Sequence, residues 1–296
     1  MKTEFNSITL SNDLKKKIKG KVLFDEFSRG RYSTDASLYQ IKPIGVVLPK
    51  DQFDVLNIIE YSQKNSIPLL ARGGGSSQCG QTVGECIVLD YSKYQNKILE
   101  FNAKEKFVWV EPGIVLDQLN EYLKPHGLWF PVDVSTSSRA TIGGMTGNNS
   151  CGSRSLYYGN MVNNVLAVES ILDDGSIHTF ENIDKNYLSK TNDQNRKFQI
   201  IKKCIDIREQ VENEINEHWP KTQRRVGGYN IDLINPNGFN ASNILVGSEG
   251  TLSLFNKIKL KLSEIPKKKI LGVCYFEKFH EAMTLTREMV KLKPTT

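Results

Sequence analysis

The stretch Arg72-Gly73-Gly74-Gly75-Ser76-Ser77-Gln78-Cys79-Gly80 decides how this chain is read. Consecutive glycines permit positive φ and let a backbone approach a ligand closely. Their amides, followed by two hydroxyls, form the kind of nest that hydrogen-bonds phosphate oxygens. The flanks matter as much. Residues 67–71 before the loop and 86–90 after it are short apolar runs that read as buried strands. Upstream, residues 45–48 read as another strand, and Pro49 with Asp51 opens a helix that carries Val55, Ile58, Ile59 and Ser62 on one face. The result is a β-α-β start with the glycine loop after its second strand.

Two better-known phosphate motifs fail here. A dinucleotide fingerprint of the Rossmann kind needs a third glycine where Gln78 stands, and a helix next; a strand follows instead. The run from Gly75 to Thr82 is one residue from a Walker A loop. Gln81 replaces the lysine that neutralises phosphate, and no helix follows to lend its dipole. A tight glycine turn without a ligand is the plain alternative for this loop taken by itself.

Further along, residues 107–110 read as a strand, 115–123 as a helix, and 165–172 with 177–180 as a hairpin around Asp174-Gly175. Residues 198–215 carry Ile201, Cys204, Ile205, Val211 and Ile215 at helical spacing, and residues 244–246 and 251–262 read as strands. Between them, residues 131–159 are rich in Gly, Ser, Thr and Asn, and too long to be idle in a compact domain. From Lys268 a new pattern begins, a strand over 270–276 and a helix over 277–292. The first thirty residues read as a peripheral helix and lead-in, with order starting near Arg31.

Composition narrows the function classes. The 39% hydrophobic share of 296 residues suffices for a sizeable core, and no run of eighteen apolar residues suggests a transmembrane helix. The N-terminus lacks an apolar signal core. A net charge of +6, scattered rather than patched, argues against nucleic-acid binding and suits an anionic ligand without naming one. Five widely spaced cysteines without a C-x-x-C exclude a disulfide framework and any zinc or iron–sulfur site within these residues. No metal site is expected, and a cytoplasmic location, with peripheral attachment to the inner membrane compatible, is the default.

Six motifs in series give a resemblance. They are Arg31-Tyr32-Ser33-Thr34-Asp35-Ala36-Ser37 before Pro43; Val46-Val47-Leu48-Pro49; the loop from Arg72 to Gly80; Val110-Glu111-Pro112-Gly113; Thr141-Ile142-Gly143-Gly144 with Tyr158-Gly159; and Gly247-Ser248-Glu249-Gly250-Thr251-Leu252. In this order they resemble the PCMH-type FAD-binding domain of the vanillyl-alcohol oxidase superfamily, in its branch of FAD-linked oxidases. D-lactate, glycolate and D-2-hydroxyglutarate dehydrogenases are the nearest kin. The likeness covers residues 30–262, and each motif alone is weak.

The resemblance implies an α+β fold: a lead-in over 1–30, a two-lobed FAD-binding domain over 31–263, and the opening of a truncated α+β cap domain over 264–296. It implies that Arg72, Gly73, Gly74, Gly75, Ser76, Ser77 and Gly80 bind the FAD pyrophosphate. Pro131, Ala140, Thr141, Gly143, Gly144, Asn149 and Gly152 would meet the cofactor from the other side, with Gly250 and Leu252 beside it. Relatives that attach FAD covalently use a histidine in the first loop; Ser76 and Ser77 occupy that region here, so FAD is expected to be non-covalent. A thioether through Cys79 or Cys151 is the alternative. The usual Gly-Thr-Leu-Gly ending reads Gly250-Thr251-Leu252-Ser253 here.

Arg225, Tyr229 and Asn230 are the candidate substrate contacts, since an arginine beside a Gly-Tyr-Asn segment is placed to pair bidentately with a carboxylate. The bland reading makes Arg224 and Arg225 ordinary loop charges. None of His126, His178, His218 and His280 is expected to be the catalytic base. The function implied is FAD-dependent dehydrogenation of a small 2-hydroxy acid, with a quinone, cytochrome or flavoprotein as electron acceptor. The alternatives are a non-catalytic flavin-binding subunit of an electron-transfer complex, and a phosphate-binding module of the NTPase kind. Iron–sulfur clusters, which some relatives carry, would lie in a C-terminal region outside these residues.

Overall fold

A computed structural model describes residues 7–190, 195–222 and 224–295. Its first half builds a small lobe from α1 (Ser7–Lys17), β1 (Lys21–Leu23), α2 (Glu26–Arg31), β2 (Gly45–Leu48), α3 (Gln52–Asn65), β3 (Leu69–Arg72) and β4 (Ile87–Asp90). Its sheet runs β1-β2-β4-β3. The β2, β3 and β4 strands are mutually parallel, as the β-α-β reading requires, and β1 adds an antiparallel edge. Both β2 and β4 are buried throughout, which is why they are continuous Val, Ile and Leu rather than alternating. Asp51 caps α3, accepting from the amides of Phe53 and Asp54.

The lead-in is more than peripheral. Leu10, Leu14 and Ile18 recur every four residues and are buried with Val55, Ile58 and Ile59 of α3. Regular, packed structure is therefore already present well before Arg31, in α1 and β1.

The large lobe follows. It comprises β5 (Ile98–Asn102), β6 (Phe107–Val110), α4 (Leu116–Leu123), β7 (Leu128–Trp129), α5 (Ile142–Gly147), α6 (Ser155–Tyr158), α7 (Met161–Asn164), β8 (Val165–Ile171) and β9 (Ile177–Asp184). It continues through α8 (Tyr187–Lys190), α9 (Arg196–Gln210), α10 (Glu212–His218), β10 (Gly238–Asn240), β11 (Leu254–Lys261) and β12 (Ser263–Glu264). Six strands form an antiparallel sheet in the order β10-β9-β8-β11-β6-β5, and β12 pairs with β7. The hairpin expected at Asp174-Gly175 joins β8 to β9. Gly175 has φ +78° there, and Asp174 accepts from the Ser176 amide and hydroxyl.

The lobes share side chains. Ile171 of β8 and Leu254 of β11 belong to the large sheet by hydrogen bonding but pack into the small lobe's core. Beside them the buried Asn256 amide donates to Gln52 of α3 and to Glu169 of β8.

Several expected elements differ. The helix over 198–215 is broken at Val211 into α9 and α10. Residues 244–246, expected as a strand, are instead the last residue of a 3-10 turn over 241–244 and the turn that follows it. The strand in 251–262 starts only at Leu254, after the Gly247–Gly250 turn has spent its positive-φ residues. Residues 270–276 form no strand: Ile270, Leu271 and Tyr275 are almost fully exposed, and no described strand lies beside them to pair with. The helix α11 (Phe279–Met289) does form beyond them, with no buried residue.

Candidate functional site

Two adjoining clefts of about 590 and 570 Å³ lie where the lobes meet. They share Gly73, Thr82, Thr141, Gly144 and Asn148, so they form one elongated slot. Its walls are the loop after β3 and the segment leading into α5.

These walls approach closely because they lack side chains where they touch. A Cβ on Gly73 would lie 2.0 Å from Thr141 Oγ1, and one on Gly74 2.3 Å from the Arg139 carbonyl oxygen. One on Gly143 would lie 2.6 Å from Pro112 Cβ. The Val110-Glu111-Pro112-Gly113 motif thus supplies the floor for the second glycine pair, and the Gly143 amide donates to the Pro112 carbonyl at 2.7 Å. Across the slot, Gln81 donates to Asn148 at 3.0 Å and Thr136 to Ser76 at 3.3 Å. The Gly247–Gly250 turn closes one end through amides of Gly247 and Glu249 bonded to the carbonyls of Thr146 and Gly147.

The first loop is closed from behind by Arg72. Its guanidinium donates to the carbonyls of Thr34 (2.7 Å), Tyr32 (3.2 Å) and Thr82 (3.2 Å), and stacks on the Tyr32 ring. Tyr32 in turn donates to Asp90 at 2.5 Å, and Asp35 accepts from Thr82 at 2.8 Å and from the Ser37 amide. Burial, the bond to Asp90 and that residue's charge push the Tyr32 hydroxyl's pKa well up, so it stays protonated. Burial also lowers the Arg72 pKa, against the fields of Asp35 and Asp90.

Residues 43–181 match the family described as FAD binding domain. Over these residues the chain is similar to FAD-binding domains of the PCMH type. The chain is 35% identical over 274 residues to D-2-hydroxyglutarate dehydrogenase of Haemophilus influenzae, covering 88% of this chain and 26% of that protein. It is 25% identical over 282 residues to glycolate oxidase subunit GlcD of Bacillus subtilis, covering 93% and 49%. The chain therefore spans about a quarter of the length of the D-2-hydroxyglutarate dehydrogenases it matches. A structure of alkyldihydroxyacetonephosphate synthase superposes with a TM-score of 0.67 at 19% identity, covering 97% of this chain and 50% of that one, which shows the shared fold.

The donor set fits FAD. The compartment lined by Gly73, Gly74, Gly75, Ser76, Ser77, Thr136 and Ser150 offers amides and hydroxyls and contains no carboxylate, as a diphosphate requires. The other, lined by Ala71, Tyr91, Pro112 and Phe255, offers the flat apolar surface a ring requires.

Not every expected contact lines the slot. Ala140, Thr141, Gly143, Gly144 and Gly250 do. Gly80, Pro131, Asn149, Gly152 and Leu252 do not; Leu252 lines a separate cavity on the far side of the Gly250–Ser253 segment. Asn149 is fully buried at φ +48°. Its oxygen accepts from the Val162 amide at 3.0 Å and its nitrogen donates to the Arg225 carbonyl at 3.4 Å, so it braces the slot from outside. Gly152 makes room for Asp133, whose carbonyl would lie 2.2 Å from its Cβ.

The substrate candidates are also engaged internally. Arg225 is paired with Asp232 at 2.5 Å and stacked on Trp219. The buried Asn230 donates to the Val246 carbonyl at 2.7 Å, whereas Tyr229 is half exposed and bonded to Thr251 at 2.8 Å. Residues missed from sequence include Thr136, Asn148 and Tyr91. The first two sat in the polar segment whose internal geometry no periodicity reveals.

Proposed function

We propose that this chain is the FAD-binding region of a dehydrogenase acting on a small 2-hydroxy acid, with D-2-hydroxyglutarate the first candidate ahead of D-lactate and glycolate. The observation that carries the reading is the slot between the glycine loops, taken with relatives named for D-2-hydroxyglutarate at 33–35% identity. Gly73, Gly74, Gly75, Ser76, Ser77, Thr141 and Gly144 hold the diphosphate; Pro112, Tyr91 and Phe255 flank a ring. Arg72 and Asn149 act from behind by fixing the loops. FAD held there would supply the hydride acceptor for the α-carbon of the acid. The two electrons would pass on to a quinone, cytochrome or flavoprotein, and the protein works in the cytoplasm or at the periphery of the inner membrane. No helix among the described residues is long and apolar enough to cross one.

One observation favours a second reading. No histidine or lysine lines the slot, and Glu249 is its one carboxylate, so a base supplied from outside these walls fits the geometry as well as one within them. A flavin-binding subunit completed by a partner has the same property. The test is anaerobic addition of each acid to FAD-loaded protein while following the flavin's visible absorption. Bleaching by one of them is expected. Failure of every acid to bleach a flavin that dithionite reduces would sink the dehydrogenase reading and leave the subunit one.

A further inference from the structure

Near the slot, a few residues from Val134 and Ser150 of its lining, two cations flank one indole and a third, Arg224, bonds to the same loop. The Arg154 guanidinium lies 4.5 Å from the centroid of Trp129, and the Lys269 ammonium lies 5.4 Å from the same centroid. Their charges are therefore within about 10 Å of each other. Arg224 donates to the carbonyl of Gly152, two residues before Arg154, at 3.0 Å. Tyr158 meets Trp129 edge-on and Tyr157 edge-on to Tyr158, which walls the group on one side.

Among the described residues, none of the three is in an ion pair, whereas Arg225, Arg208 and Lys257 of the same lobe are each paired with a carboxylate. The nearby Asp133 accepts from the Ser153 hydroxyl and the Arg154 amide and, among the described residues, is in no ion pair with the three side chains. Like charges within a Debye length, ~8–10 Å at ordinary ionic strength, repel unless an anion sits among them. Stacking uses the face of the Arg154 guanidinium and leaves its N–H edges for a planar acceptor such as a carboxylate.

We propose that Arg154 and Lys269, set around Trp129 with Arg224 behind them, bind the carboxylates of a dicarboxylic acid at the rim of the flavin slot. A single carboxylate is satisfied by one arginine; two separated cations on one ring match a ligand with an acid group at each end. The proposal deepens the 2-hydroxy-acid reading and rests on it for the meaning of the ligand. Arg154 and Lys269 then select a hydroxydiacid over lactate or glycolate.

The test is calorimetric titration of FAD-loaded protein with glutarate and with butyrate, neither of which reacts. Glutarate is expected to bind about tenfold tighter or better, as one charge-assisted contact of ~1.5–3 kcal/mol dictates. R154M and K269M should each remove most of that advantage while FAD stays bound, and R154K should recover part of it. K269M changes an exposed side chain, so it remains informative if R154M fails to fold. Equal or absent binding of the two acids by wild type overturns the proposal, as does unchanged glutarate affinity in the double variant. The two readings fail separately. Selective glutarate binding with no acid reducing the flavin removes the dehydrogenase reading. Flavin reduction by D-2-hydroxyglutarate that R154M and K269M leave unchanged removes the anion rim.

Discussion

Gly74→Ala tests the slot most directly. The added methyl would lie 2.3 Å from the Arg139 carbonyl oxygen and 3.0 Å from its carbon, where ordinary contact begins at 3.4 Å. The obstacle is main chain, held by bonds from the Arg139 and Ala140 amides to the Thr136 carbonyl, so no rotamer change relieves it. One wall must retreat by about 1 Å. Overpacking of this kind costs ~1–3 kcal/mol. The wall that retreats carries the diphosphate donors, so the cost falls on FAD binding as well as on the fold. At ~1.4 kcal/mol per tenfold, Kd for FAD rises by about 5- to 150-fold. Quenching of flavin fluorescence on titration measures it, with retention of yellow colour after desalting as a second readout. Gly30→Ala is the control: a Cβ there meets nothing within 4 Å, the residue lies in α2, and alanine should be neutral or stabilising. A G74A protein that binds FAD as tightly as wild type would refute the idea that these two loops pinch the diphosphate.

Two further outcomes follow from the clasp behind the loop. Arg72→Met strands three carbonyls at roughly 1 kcal/mol each; FAD affinity should fall at least tenfold and recover partly on adding guanidinium ion, and wild-type affinity without it would show that Arg72 positions nothing. For Asp35, partial burial raises the pKa, but the bonds from Ser37 and Thr82 and the field of Arg72 outweigh it and hold the carboxyl below its usual range. A depressed folded-state pKa contributes stability above the unfolded value of ~3.9 and loses it as pH falls through the folded one. The Tm gap between wild type and D35N should therefore be largest at neutral pH and close in acid; a gap that widens in acid contradicts the assignment.

The parts legible in sequence were those whose signals are local. Asp51 announces α3, the apolar 45–48 and 87–89 announce the buried parallel strands, and Asp174-Gly175 announces its hairpin. What stayed hidden depends on distant partners. The apolar run at 270–276 looks like a strand, yet a strand exists only beside another, and none lies there. The helical spacing of Leu10, Leu14 and Ile18 was masked by the lysines around it. At the site, the glycines were readable because their absence of side chain is itself the signal. The roles of Arg72, Asn149 and Arg225 were not. Each makes its decisive bonds to residues 7 to 76 positions away, and the same side chains facing the slot would leave the same sequence.

The sharing of Ile171 and Leu254 between lobes has a kinetic consequence. Two bodies that own the same core side chains cannot swing apart without exposing them, so this cleft is a slot cut in one block and not a jaw. Cofactor enters and leaves by fraying of the glycine loops, whose hydrogen bonds are few, while the sheets stay shut. The lifetime of bound flavin is then governed by the stability of some ten loop residues and is uncoupled from the global unfolding rate. A preformed slot also pays little ordering entropy at the moment of binding, which leaves the diphosphate contacts to appear almost undiminished as affinity.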